Sequence, residues 1–334
     1  MGAPNLNVPV QGNANILISQ LDLRYREGFD KAQSWAKEIA EERSYTKGKT
    51  VILPWNDPAK RLSRFKAEFK TNPWIVNALQ TTSEPWQSNI AVDRYETIEN
   101  IYMDVGLQAK SLGNQCALLA DDTIALALRT AGSSSATPFL WYDGEPVFSE
   151  QHPIDPHGVI PGTWKNLYKG VGLNTSDIID VIQQAAVGVK LPNGRQVSVR
   201  FNKCGVSGKY IAIAKEIFSN DLVIRAIAAA VAPNGAYGAS NNVLKGMIEP
   251  VIMDQLAQEI EGIPGEEDVF YLWDDRFLKP VTTYYIRRPY TTPIFNDADG
   301  MVRKENSYFY LAEGHAVSVV TAPWFIARCE PGTP

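Results

Sequence analysis

The strongest constraint on this chain is one long helical repeat. Across residues 96–131, Ile98, Ile101, Tyr102, Val105, Ala109, Leu112, Cys116, Leu119, Thr123, Ala127 and Thr130 recur at spacings of three and four, the period of one helix face. Thirty-six residues would make a rod of about 54 Å, well beyond the usual globular helix of about 11–12 residues. Gly106 and Gly113 lie inside it, each costing about 1 kcal/mol relative to alanine. They leave two readings open, close approach of another backbone or a kink. The pattern stops at Gly132-Ser-Ser-Ser135.

What precedes this rod has little core of its own. Residues 1–18 are polar and turn-rich and read as an extended arm. From Gln20 to Arg43, Leu21, Tyr25, Phe29, Ala32, Trp35, Ala36 and Ile39 form one apolar stripe that needs a partner to cover it. Residues 44–95 read as a long β-excursion. Strands are expected at Thr50–Trp55, where Pro54 marks an edge or an end, and at Trp86–Tyr95, while Arg64–Lys70 alternates loosely.

After the rod, residues 136–171 form a connector rich in glycine, proline and histidine. A helix is expected over Asp177–Val189, capped by Thr175 or Ser176. Further helices are expected at Tyr210–Phe218 and Leu222–Val231. Strands are expected at Val197–Phe201, Val243–Met253, Val269–Tyr271, Thr282–Arg287, Ser307–Leu311 and Ala316–Ala322. Helices dominate early and antiparallel-looking strands late, so the fold class is α+β. The chain of 334 residues, 45% hydrophobic and 21% charged, can bury a sizeable core.

The connector invites a chemical reading because Ser149, His152 and His157 sit close together. A hydrolase using Ser149 and His152 would want a nucleophile elbow, and no G-x-S-x-G is present. A metal site from His152, Asp155 and His157 would have to form across Pro153 and Pro156. Phosphate-cradling glycine motifs are absent from the whole chain. Cys116, Cys204 and Cys329 are far apart and form no C-x-x-C, so they read as buried free thiols. The expectation is therefore no catalytic residue, no metal and no cofactor. Met1–Val10 has no apolar h-region, and no run is long enough to span a membrane. The connector reads instead as a structural joint, in which its prolines and Trp164 matter more than Ser149.

Charge is unevenly placed. The net charge of −5 supplies no overall positive field for nucleic acid. Arg43–Lys70 holds eight basic residues against Asp57 and Glu68, whereas Glu249–Asp275 holds nine acidic residues and no lysine or arginine. Opposite-sign regions can meet between copies and set register. Arg61, Arg64, Lys66 and Lys70 are then expected on an acidic neighbour at Glu266, Glu267 and Asp268. With eight tryptophans in the chain, Trp35 and Trp55 join them as expected inter-subunit contacts.

Three stretches carry a family resemblance. They are Asp143-Gly-Glu-Pro-Val-Phe-Ser-Glu-Gln-His-Pro153 with Asn166-Leu167 and Leu173-Asn174, then Leu272-Trp-Asp-Asp-Arg-Phe277 with Lys279-Pro280, then Tyr308-Phe-Tyr-Leu-Ala-Glu-Gly-His315. Together they resemble the major head subunits of tailed phages related to the Mu-type head protein. The order of parts is similar to the Hong Kong 97 capsid fold. The resemblance implies an N-terminal arm and helix (1–43), an extended β-loop (44–95) and a peripheral domain with a spine helix (96–171). An axial domain (172–303) and a return strand of the peripheral domain (304–334) follow. It implies a structural role without catalysis: self-assembly into hexamers and pentamers of an icosahedral or prolate head, built in the host cytoplasm and ending in the virion. The implied partners are the protein itself, portal, scaffolding and decoration proteins, and non-specifically packaged double-stranded DNA. Residues 1–43 are short for the scaffolding segment many members carry. A separate scaffolding protein, or a segment already removed, is expected. An encapsulin-type compartment is the alternative sharing the fold.

Overall fold

The computed structural model describes residues 10–45, 48–56, 76–93, 103–132, 139–155, 160–191, 194–226, 237–295 and 299–332. The first element, α1 (Val10–Lys31), starts earlier than expected, and its residues 10–18 are helical rather than an extended arm. It buries Leu17, Leu21 and Tyr25, one face of the helix. It also ends earlier than expected. A short helix, α2 (Ala36–Ile39), is followed directly by strand β1 (Ala40–Ser44), which pairs parallel with residues 281–285. Helical periodicity over 40–43 loses to strand pairing because Trp35, Ala36, Ile39 and Ala40 are drawn into the main core.

The excursion is rooted in a hairpin of β2 (Thr50–Asn56) and β3 (Val76–Thr82), paired from Thr50↔Thr82 to Asn56↔Val76. Pro54 is tolerated because the ribbon has only two strands. The loosely alternating stretch Arg64–Lys70 lies outside the described residues. β4 (Glu84–Asp93) leaves the hairpin and joins the first sheet.

The described part of the long rod is two helices, α3 (Met103–Ala117) and α4 (Leu119–Thr130), meeting at Leu118. The hydrogen-bond ladder runs through the joint, with Leu118 N–H donating to Asn114 and Gln115 and its carbonyl accepting from Asp122. Residues 96–102 lie outside the described part. The joint is not at a glycine. Gly113 serves close approach: a Cβ there would collide with the Tyr25 carbonyl, and one at Gly28 with the Lys110 carbonyl. These two glycines let α1 and α3 touch backbone to backbone. Gly106 has only the Arg24 side chain nearby, at 3.7 Å.

The first sheet has the order β1-β13-β14-β4. Its centre is the pair of 14-residue strands β13 (Val281–Ile294) and β14 (Ser307–Val320), antiparallel with register shifts around Arg287. The separate strands expected at 307–311 and 316–322 are one. Tyr310, Ala312, Ala316, Ser318 and Val320 of β14 are buried, every second residue, as a half-covered strand requires. α1 and α3 cover this face through Leu17, Leu21, Tyr25, Val105, Ala109 and Leu112, packed on Ile90, Val92, Tyr310 and Ala312. The expected boundary at 303/304 falls between two strands that pair along their length.

The second sheet has the order β11-β8-β12-β15-β7, formed by β7 (Leu167–Lys169), β8 (Lys203–Val206), β11 (Glu249–Ile252), β12 (Phe270–Trp273) and β15 (Ile326–Glu330). Every residue of the central β12 is buried. Helix α5 (Thr175–Gly188) is capped by Asn174, whose side chain accepts from Asp177 N–H at 3.0 Å, and not by Thr175 or Ser176. α6 (Ile211–Ser219) matches its expected span closely. Leu222–Ala226 is a strand, β9, hairpinned with β10 (Tyr237–Asn241), where a helix was expected. Its β-branched Val223 and Ile224 favour that choice. Val197–Phe201 is not a strand, and residues 243–248 are turns. One hydrophobic cluster runs from Trp35 and Leu128 through Trp164 and Ile178 to Trp273 and Trp324. Among the described residues no helix is long and apolar enough to cross a membrane.

Candidate assembly interface

The connector is a packed joint. The short strands β5 (His152–Pro153) and β6 (Thr163–Trp164) pair with each other. The His152 ring is fully buried and lies flat on Trp164, with centroids 4.4 Å apart. Its Nδ1 is 2.7 Å from Asp143 Oδ2 and its Nε2 is 3.1 Å from the Val147 carbonyl. Both nitrogens are therefore committed, and neither is available to Ser149 or to a metal. Ser149 Oγ instead accepts from Gln151 N–H. His157 lies outside the described residues. Asn166 ties the joint together: its Oδ1 accepts from Ser149 N–H, and its Nδ2 donates to the Val147 and Pro323 carbonyls. Trp164 stacks in turn on Trp324 at 6.1 Å.

This geometry fixes the outcome of two substitutions. Ser149→Ala removes one weakly held hydroxyl and is expected to cost less than about 1 kcal/mol. Trp164→Phe keeps a ring but loses part of the stack on His152 and Trp324, and is expected to cost about 1.5 kcal/mol. Urea denaturation of unassembled subunit checks the order. A larger loss for Ser149→Ala would refute the structural reading of the joint.

A second buried network closes the other end of the core. Arg328 on β15 is 1% exposed. It donates to Glu330 at 2.8 Å, to Tyr271 OH at 2.9 Å and to Glu266 at 2.9 Å. Nearby, Arg129 on α4 donates to the carbonyls of Gln255 and Ile263. Trp35 Nε1 donates to Gln255 Oε1 at 2.5 Å. Neither Arg328 nor Arg129 stands out in the sequence. The available signal was an arginine inside the apolar run Phe325-Ile-Ala-Arg-Cys329, where a charge must be paired to be buried.

The expected inter-subunit residues divide accordingly. Trp35 is 7% exposed and Glu266 is spent on Arg328, so both are used inside the subunit. Glu267 and Asp268 are exposed on the turn before β12 and are bridged by Lys209 at 2.9 and 2.8 Å. Trp55 lies on β2 opposite Asn77. Arg61, Arg64, Lys66 and Lys70 lie outside the described residues.

Where α1 hands over to β1, Asp121 of α4 is fully buried and holds the turn. Its Oδ1 accepts from Ser34 Oγ at 2.8 Å and from Ala36 N–H at 2.7 Å, while Oδ2 is buried without a hydrogen-bond partner among the described residues. Burial pushes its carboxyl up to about 7, against the pull of those donors. The folded chain therefore holds this proton more tightly than the unfolded chain, so its contribution is present at acid pH and is lost as pH rises through about 7. Asp121→Asn keeps an acceptor without the charge. It is expected to raise Tm at pH 8 by at least about 2 °C, with the gain vanishing below pH 5. Equal gains at both pH values would exclude this cause.

Taken together, a two-part helical strut, a covering N-terminal helix, a hairpin excursion and two sheets sharing one core make a capsid-shell fold of the Hong Kong 97 type. Solved structures similar over most of the chain are shell proteins. Against "Capsid structure of the Cyanophage P-SCSP1u" the TM-score is 0.52 at 12% identity, covering 88% of this chain and 86% of that one. Against "Capsid of native GTA particle" it is 0.51 at 10% identity, covering 89% of each. Against "Procapsid of bacteriophage JBD30" it is 0.50 at 13% identity, covering 94% of this chain and 73% of that one. No family model matches the chain, and no curated protein matches it.

Proposed function

We propose that this protein is the major capsid subunit of a tailed-phage head, related to the Mu-type head proteins, that assembles as hexamers and pentamers around double-stranded DNA. The observation that carries this is the shell fold, matched along about nine-tenths of the chain. The role is structural, and His152, the histidine described in the connector, is built into the core beside Ser149. The proposed division is an arm and helix, an excursion, a peripheral part built on the first sheet and an axial part built on the second. The excursion would reach a neighbouring copy, its Arg61, Arg64, Lys66 and Lys70 meeting acidic surface that includes Glu267 and Asp268. Portal and scaffolding proteins, and a decoration protein where the head carries one, are the further partners of such a subunit. The finished protein then resides in the virion after assembly in the host cytoplasm.

Electron microscopy of the purified protein tests this. Closed particles or capsomers are expected, and particles recovered from the infected host should protect DNA from nuclease. A chain that stays monomeric at high concentration would remove the proposal. Particles holding protein cargo and no DNA would favour the compartment alternative.

A further inference from the structure

The stretch ending in Gly314-His315 stands where the strut, the first sheet and the excursion meet. Both residues lie on β14, between β13 and β4, and successive side chains of a strand point to opposite faces. Gly314 is buried on the helix-covered face, where a Cβ would come within 2.6 Å of Leu119 Cδ2 at the joint of the strut. His315 is half-buried on the other face, paired across with Arg287 of β13 and Pro85 of β4. Its Nε2 is 3.1 Å from the Ser83 carbonyl. A carbonyl only accepts, so Nε2 carries the hydrogen.

Ser83 is the turning point of the excursion. It alone separates β3, which belongs to the two-stranded ribbon, from β4, which belongs to the first sheet. One residue offers two soft backbone dihedrals, and those of Ser83 set the direction in which the ribbon leaves the sheet. Ser83 is 1% exposed, so both of its backbone polar groups need partners. Its N–H donates to the Lys49 carbonyl at 2.9 Å and closes the ribbon. The ladder of β4 on β14 ends at Glu84↔Ala316, and the Ser83 carbonyl is met by the His315 side chain instead. One backbone group of Ser83 thus belongs to the ribbon and the other to the sheet. The apolar seat beside it acts differently. Val51 of β2 is buried against Val319, with Tyr45, Tyr284 and Val317 packed around it. That contact holds the ribbon down, but apolar burial is non-directional, whereas a hydrogen bond weakens steeply as its angle is lost.

We infer that His315 is a positioning residue: its bond to the Ser83 carbonyl aims the excursion that Val51 seats. The consequence for assembly rests on the excursion reaching a neighbouring copy, as proposed above. The aim itself is a property of the single subunit.

Two variants of the full chain separate aim from stability. His315→Phe keeps a flat ring and removes the donor. His315→Gln keeps an N–H donor at a similar reach. Spin labels at Ile52→Cys on the ribbon and Asn89→Cys on β4, both exposed, report the aim as a distance in the unassembled subunit. The background is Cys116→Ser, since Cys204 and Cys329 are buried. A narrow distance distribution is expected for the parent and for His315→Gln, and a displaced or broadened one for His315→Phe. His315→Phe is also expected to raise the protein concentration for half-assembly by about tenfold, with His315→Gln recovering most of that and both chains melting close to wild type. An unchanged distribution in His315→Phe would overturn the inference. So would equal displacement in both variants, which would assign the effect to packing of the imidazole and not to its donor. Displacement with unchanged assembly would remove the consequence for assembly. Should His315→Phe fail to fold, His315→Leu takes its place in the same comparison. A parent chain that never assembles would remove the capsid role itself, while the distances still decide the aim.

Discussion

Gly28→Ala is expected to destabilise the subunit by about 3 kcal/mol or more, a large effect for one methyl group on a helix. The reason is backbone against backbone. The new Cβ would meet the Lys110 carbonyl of α3, and Gly113→Ala would meet the Tyr25 carbonyl of α1. A side chain can turn away, but a helix carbonyl cannot, so α1 must lift off α3 as a unit. Lifting also exposes Leu17, Leu21 and Tyr25 and strains the bond from Tyr310 OH to Asp22, 2.5 Å long. The control is Gly106→Ala, whose Cβ has open space apart from Arg24. It is expected to stabilise by about 0.5–1 kcal/mol through helix propensity alone. Urea denaturation should therefore move in opposite directions for two identical changes, and protease should cut α1 early in Gly28→Ala only. If both variants shift the same way, close approach is not what these glycines provide.

Arg328→Ala is expected to cost about 3–5 kcal/mol. The loss is not the worth of one ion pair. It comes from leaving Glu266 and Glu330 beside the core without their cation, and Tyr271 OH without its donor. Neutralising the whole group should recover most of it, because apolar or neutral replacements of a buried ionic cluster are often tolerated. The triple variant Arg328→Met, Glu266→Gln, Glu330→Gln is therefore expected within about 1.5 kcal/mol of wild type. A triple variant as unstable as Arg328→Ala would mean that the aliphatic packing of Arg328, and not charge pairing, is what matters.

The sequence made some of this legible and hid the rest for physical reasons. The strut could be read because a helix face repeats locally, and Gly113 could be flagged because a glycine inside a helix has a cost to offset. The partner glycine, Gly28, could not be matched to it, because 85 residues of chain separate them and only the tertiary contact links them. The switch from helix to strand at Ala40 is also non-local: β1 exists because β13, 241 residues later at Ala40↔Val281, offers it an edge. Leu222–Ala226 has the same cause, since its hairpin partner Tyr237–Asn241 decides its conformation. Trp164 could be singled out in the connector, and it is buried between His152 and Trp324, yet the organising residue there is Asn166, whose three hydrogen bonds no spacing rule announces. Trp35 and Glu266 were expected at inter-subunit contacts, Trp35 because tryptophans favour large packed interfaces and Glu266 because it lies in an acidic run. Their partners Gln255 and Arg328 turn both inward.

The two sheets are laced together by more than one crossing. The chain passes from β12 to β13 through the Asp274 loop and back from β14 to β15 through Pro323–Phe325, and one core runs beneath both passages. A body stitched this way behaves as a tile and not as a hinge. Any shell built from it would take its curvature from the angle at which tiles lean on each other. Five and six copies around a vertex would then differ at their seams while each tile kept the same interior.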